Sequence, residues 1–201
     1  MEDNQKLNIG PVRFSYVHVF EPRKGDQGET PKYSVTLLIP KSDTALVERV
    51  KAAINAAYAA GIASVFGGQA PAKGTARNPL RDGDAEKSED PNYEGMYFIN
   101  ASCKTAPGVV KPNPTGNPKF VAITDQNEFY SGCYGYANIR FYAYNNRGNK
   151  GVSAGLNNLL KTRDGEFLGG RANADADFHD IDLGPGAASA GLSAPDDGDI
   201  F

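Results

Sequence analysis

At 201 residues with a 40% hydrophobic share, the chain suits one domain with appendages and has enough apolar material for a core. No apolar run approaches the ~20 residues of a membrane span, MEDNQKLNIG lacks a signal-peptide core, and Cys103 and Cys133 are too few for a disulfide scaffold. The net charge of −3 hides a segregation: seven aspartates and no Lys or Arg follow Arg171, which leaves 17 acidic against 21 basic side chains before it, a net of +4.

A cytoplasmic protein with buried free thiols is expected from this composition. Pro11 to Phe20 alternates, with Val12, Phe14, Tyr16, His18 and Phe20 on one side and Arg13, Ser15, Val17 and Val19 on the other. Both sides are largely apolar, so a central strand is predicted. Glu21 to Pro31 is a turn-rich loop. Tyr33 to Ile39 is a second strand, stopped by Pro40.

One helix follows, capped by Ser42 or Asp43. Its apolar stripe is Leu46, Val47, Val50, Ile54, Ala57 and Tyr58, and Gly61 is a natural stop. Gly67 to Gly95 is long for a loop and rich in Gly, Pro and charge. Within it, Arg77, Asn78 and Arg81 are candidates to line a groove. Asp82 and Asp84 form a carboxylate pair, but no histidine or further carboxylate pattern supports a metal, and no cofactor is expected.

Met96 to Ser102 is a third strand. A Pro-rich loop with Lys104, Lys111 and Lys119 leads to a short strand, Phe120 to Thr124. Cys133 to Tyr144, CYGYANIRFYAY, is the most informative stretch. Read as a strand, it turns Cys133, Gly135, Ala137, Ile139, Phe141 and Ala143 to one face and Tyr134, Tyr136, Asn138, Arg140, Tyr142 and Tyr144 to the other. The first face is small and apolar. The second, with four tyrosines, an amide and an arginine, suits unpaired bases above a phosphate backbone. It can equally be a two-faced strand whose tyrosines pack under loops.

Asn145 to Gly151 is a turn with Arg147 and Lys150 at its tip. Gly151 to Thr162 is a closing strand, or a strand breaking into a short helix. Gly169-Gly170 ends the ordered body, and the Ala-, Gly-, Asp- and Ser-rich remainder is expected to be disordered. It ends APDDGDIF, with Ile200 and Phe201 beyond Asp196, Asp197 and Asp199. An apolar tip on an acidic arm can hook a basic-rimmed pocket or compete with nucleic acid for the body's own groove.

The segments FYSGCYGYANIRFYAY, KGVSAGLNNLLKTRDGEFLGG and NPLRDGD, together with the terminal DDGDIF, resemble a family of bacteriophage single-stranded-DNA-binding proteins first catalogued as a domain of unknown function. The resemblance covers most of residues 5–171. It implies a mainly β fold: an OB-fold-like five-stranded barrel with one helix and long loops over 1–171, and a disordered acidic tail over 172–201. It also implies non-catalytic, largely sequence-independent binding of single-stranded DNA in phage replication, recombination or repair. In the host-cell cytoplasm, the tail tip would recruit replication or recombination proteins. Most OB-folds put the helix after the third strand; the strand count here puts it after the second.

The DNA-binding candidates are therefore Tyr134, Tyr136, Tyr142 and Tyr144 for stacking and Arg13, Arg77, Arg81, Lys104, Arg140, Arg147 and Lys150 for phosphates. The partner-binding candidates are Asp196, Asp197, Asp199, Ile200 and Phe201. Two rival readings remain: a metal-dependent nuclease or phosphoesterase, and a virion or adaptor protein that uses the barrel for protein contacts only. Against the first, the chain holds only His18 and His179 and has neither a G-x-x-x-x-G-K-[ST] loop nor an H-E-x-x-H motif.

Overall fold

The computed structural model describes residues 5–24 and 30–168. In chain order its elements are β1 (Lys6–Arg23), β2 (Lys32–Pro40), α1 (Thr44–Ser64), β3 (Arg81–Asp82), α2 (Gly83–Glu86), a 3-10 turn (Pro91–Tyr93) and β4 (Met96–Cys103). These are followed by β5 (Gly108–Pro112), β6 (Phe120–Ala122), β7 (Tyr134–Asn146) and β8 (Asn149–Arg163).

β1 begins earlier than its alternation suggests and serves two neighbours. Lys6–Arg13 pairs antiparallel with β7, and Arg13–Arg23 pairs antiparallel with β2. The register to β2 slips between Ser15 and His18, where Tyr16 has φ 46°. A bulge of this kind inserts one residue and flips the alternation. Val12 and Phe14 therefore face the core, but beyond the bulge Val19 does, while Tyr16 is exposed and His18 half-buried. The expected single face through Tyr16 and His18 is corrected accordingly.

β2 pairs with β4 along its whole length, and β7 pairs with β8. A parallel contact, Ala101↔Ala154 and Ser102↔Gly155, joins β4 to β8. The cyclic order β1-β2-β4-β8-β7 is then closed, which is the five-stranded OB barrel. Its interior is filled by Ile9, Phe14, Leu37, Ile39, Ile99, Ala101, Ala137, Ile139, Phe141 and Leu156. Ala137, Ile139 and Phe141 are the inward row read from the sequence.

α1 joins the second and third barrel strands, and packs chiefly on β7 and also on β1 and β8. Asp43, not Ser42, caps it, accepting the Leu46 N–H at 3.0 Å. Leu46, Val47, Val50, Ala53, Ile54 and Ala57 are buried. Each large aliphatic among them contributes about 1.5–3 kcal/mol relative to exposure, so packing rather than alanine propensity holds the helix. Gly61 does not stop it; the helix continues to Ser64. A Cβ at Gly61 would lie 2.2 Å from the Ala143 Cβ, so glycine is where helix and barrel wall meet.

The long Gly67–Gly95 segment holds structure of its own. It adds β3 to the edge of β4 and brings Tyr93 of the 3-10 turn against the outer face of β2 and β4, where Leu38, Tyr93 and Phe98 form a second small core. The Tyr93 and Phe98 rings meet edge-on at 5.2 Å. Gly151–Thr162 resolves as strand throughout, within β8. The β7–β8 connection is two residues, Arg147 and Gly148, with φ of 49° and 87°. Positive φ at both central positions is the tight hairpin geometry that matches strand twist. Lys150 therefore belongs to β8, opposite Asn145, and not to the turn tip. Cys103 and Cys133 are both free thiols, but only Cys133 is buried; Cys103, at the end of β4, is half-buried, contrary to expectation. The expected tail, 172–201, lies outside the described residues.

Candidate nucleic-acid interface

The outward row of β7 is open. Tyr136 is 37% exposed and Tyr142 44% exposed, while Tyr134, Asn138 and Tyr144 are half-buried and Arg140 is exposed. Successive members of one face lie two residues apart, so they recur about every 6.8 Å along the strand.

The facing residues of β8 are small where the row is widest. Tyr142 stands opposite Ser153, Tyr144 opposite Gly151 and Arg140 opposite Gly155. A Cβ at Gly155 would touch the Tyr142 ring edge at 3.5 Å. These small partners leave the Tyr142 ring open to solvent above the sheet. At the far end of the hairpin, Arg77 forms a parallel bridge to Gly151; its N–H donates to the Lys150 carbonyl at 3.0 Å. Arg77, Tyr144 and Arg147 thus lie at one end of the row, whereas Lys150, opposite Asn145, falls on the other face of the hairpin by the strand alternation, which corrects its expected place beside the tyrosines.

Tyr134 sits at the other end in a different environment. The Arg163 guanidinium lies 3.6 Å from its ring centroid and Arg13 lies 5.7 Å away. Arg13 also donates to the carbonyls of Gly132 and Glu166, at 3.4 and 2.9 Å, and to Asn92 at 3.4 Å. It therefore ties the β1 bend to the segment after β8. Arg81 lies on the outer layer against β4, with its guanidinium 4.7 Å from the Phe98 ring centroid and paired with Glu86. Lys104 is exposed just past β4, two residues from Ser102, which pairs with Gly155.

The carboxylates Asp82 and Asp84 are bound by Lys41 at 2.6 and 2.7 Å. The Lys41 hydrogen bonds hold both below the usual carboxylate range, and Asp84 is lowered further by the Gly95 N–H. Among the described residues no group of three or more His, Cys, Asp or Glu is placed to hold a metal ion. Burial, then the neighbouring Arg23, pushes the His18 imidazole toward its neutral form.

Asn8, Asn157 and Phe120 escaped the reading of the sequence, whereas the alternation of β7 already puts Asn138 on this face. Asn138 donates to Asn8 at 2.6 Å and accepts from Asn157 at 2.9 Å, which links β1, β7 and β8 by an amide row. Phe120, at the start of β6, is 40% exposed, with the Lys119 ammonium 5.3 Å from its ring centroid. Phe120 and Tyr136 line one groove of about 410 Å³ together with Asn8, Asn138 and Asn158. The signal available in the sequence was the Lys119-Phe120 pair itself, a cation beside a ring after a Pro-rich loop. Nothing local says that it reaches β7. The tail residues Asp196, Asp197, Asp199, Ile200 and Phe201 lie outside the described residues.

Known proteins resemble this chain in sequence or in fold. Putative protein p50 of Acyrthosiphon pisum secondary endosymbiont phage 1 is 34% identical over 187 residues, 89% of this chain and 95% of that protein. The single-stranded DNA-binding protein of bacteriophage Enc34, solved in complex with single-stranded DNA, is 28% identical with a TM-score of 0.70, over 82% of this chain and 90% of that one. The single-stranded DNA binding protein gp2.5 of bacteriophage T7 shares the fold, with a TM-score of 0.53 at 16% identity over 84% of this chain and 97% of that one. The family profile described as the single-stranded-DNA-binding protein of Enterobacter phage Enc34 matches residues 5–186, and this chain belongs to that family.

Proposed function

We propose that this protein binds single-stranded DNA without catalysis and largely without regard to sequence, on the outward face of β7 and its surroundings. The observation that carries the reading is the open row Tyr136, Asn138, Arg140 and Tyr142 on a barrel whose relative is solved with single-stranded DNA. Exposed rings offer stacking surfaces to any base, and duplex DNA keeps its bases hidden. Tyr136 and Tyr142 are the primary stacking residues, with Tyr144 extending the row. Arg140, Arg147, Arg77 and Lys104 supply phosphate contacts, while Lys150, on the opposite face of the hairpin, adds only to the positive field at its end. Arg13, Arg81 and Tyr134 are tied by contacts within the chain, so their first role is to shape the edges of the face.

The acidic segment 172–201 competes with DNA for this face, and its tip, Asp196 to Phe201, recruits proteins of phage replication or recombination. The test is a titration of fluorescent oligo-dT at several salt concentrations, with duplex DNA and magnesium as controls. Tight, salt-dependent binding of oligo-dT over duplex, with the strand left intact, is the expected result. Magnesium-dependent loss of the strand would mean a nuclease, and absence of binding would mean a protein adaptor.

A further inference from the structure

The sheet does not end at β8. β5 runs parallel to it through Gly108↔Asn158, Val109↔Leu159 and Val110↔Leu160, and β6 pairs with β5. This hairpin extends the barrel wall and sets Phe120 on the same groove as Tyr136. Val110, Leu159 and Leu160 supply apolar lining, and Asn8, Asn138 and Asn158 supply amides. Two large rings left open on one groove incur a hydrophobic penalty that an occupant with flat π-faces removes.

We infer, building on the function proposed above, that this groove is a nucleobase clip in which one unpaired base of the DNA strand is held jointly by the Tyr136 and Phe120 rings. Four observations fit that occupant. Both rings are more than a third exposed. Tyr136 is set from beneath by Gly10, where a Cβ would lie 2.7 Å from the ring. Asn138 uses one donor on Asn8 and one acceptor site on Asn157, and the amide capacity left on Asn8 and Asn138 can meet base edges of different kinds. The Lys119 ammonium lies 5.3 Å from the Phe120 ring centroid, a cation within reach of the phosphate of a nucleotide whose base sits against that ring. A paired base cannot enter, which makes the clip selective for single strands.

The experiment compares full-length variants on oligo-dT and on an abasic strand of equal length, which keeps the phosphates and lacks the bases. Phe120→Ala should weaken oligo-dT binding roughly tenfold, the scale of one stacked base, yet bind the abasic strand as the wild type does. Phe120→Leu, which keeps apolar bulk and loses the flat ring, should show most of the same deficit. Phe120→Trp should retain affinity. Because the rings share one base, the Tyr136→Ala, Phe120→Ala double variant should lose little more than either single. An unchanged affinity of Phe120→Ala for oligo-dT overturns the clip, as does an equal loss on the abasic strand or full additivity. Should the wild type itself ignore oligo-dT, the broader reading falls with it; if the wild type binds and Phe120→Ala matches it, only the clip falls.

Discussion

Gly10 shows how a single missing side chain can position a functional ring. Its φ of 149° is one that L side chains rarely adopt, and an added Cβ would meet the Gly135 carbonyl oxygen at 2.6 Å and the Tyr136 ring at 2.7 Å. Relaxation has no easy direction, because the oxygen belongs to a strand paired on both sides. Gly10→Ala should destabilise the fold by about 1–3 kcal/mol, the scale of one strained backbone position. It should also weaken oligo-dT binding by displacing Tyr136. Denaturant melts and a binding titration check the two parts. A variant as stable as the wild type would show that the β1–β7 contact is softer than its distances indicate. At the same scale, Tyr142→Ala should weaken oligo-dT binding by about 1–3 kcal/mol without altering thermal stability, since the ring is exposed over Gly155.

At the scale of elements, the seating of α1 on β7 sets two effects against each other. Alanine is favoured over glycine within a helix by about 1 kcal/mol. The Cβ it adds at position 61 would lie 2.2 Å from the Ala143 Cβ, and overpacking typically costs about 1–3 kcal/mol. The clash should win, so Gly61→Ala lowers the melting temperature, and adding Ala143→Gly should restore it. Failure of that second change to rescue stability would place the strain elsewhere.

The outer layer carries a pH-dependent latch in Lys41, Asp82 and Asp84, with Asp84 accepting the Gly95 N–H at 2.7 Å. The two aspartates are depressed in the folded state by the Lys41 hydrogen bonds. Their contribution is therefore full above an unperturbed aspartate pKa of about 3.9 and lost as pH falls through the lower folded values. Lys41 is raised by the same bonds, so its share is full at neutral pH and is lost only above about 10.4. The hydrogen-exchange protection factor of the Gly95 amide should hold from pH 7 to about 5 and fall in the acid limb. Lys41→Met should flatten that dependence. Equal protection at pH 2 and pH 7 in the wild type would dismiss the latch.

At the scale of the whole molecule, charge is divided along the chain. Residues 1–171 carry a formal +4 and the full chain −3. A chain ending at Arg171 should bind oligo-dT more tightly than the full chain at low salt. The gap should shrink as the Debye length contracts from about 30 Å at 0.01 M to about 8 Å at 0.15 M. Anisotropy titrations of both chains across that range measure it. Parallel curves at every salt concentration would remove the tail as an electrostatic competitor.

The sequence by itself determined the alternation of Gly135 to Phe141, the helix after the second strand and the uneven charge, because each depends on neighbours a few residues apart. Period 2 assigns Ala137 inward and Tyr136 outward whatever the strand pairs with, and a 3.6-residue stripe marks α1 before anything covers it. Tertiary structure alone decided which outward residues share a surface. Barrel closure joins Ala101 to Ala154, and β5 and β6 bring Phe120 to Tyr136 across sixteen residues of sequence. It likewise committed Arg13 to Glu166 and Arg81 to Glu86, and turned Gly61 from a helix stop into a point of contact. Local periodicity encodes the face a side chain occupies, whereas its partner across the sheet depends on register and closure, which exist only once the chain has folded.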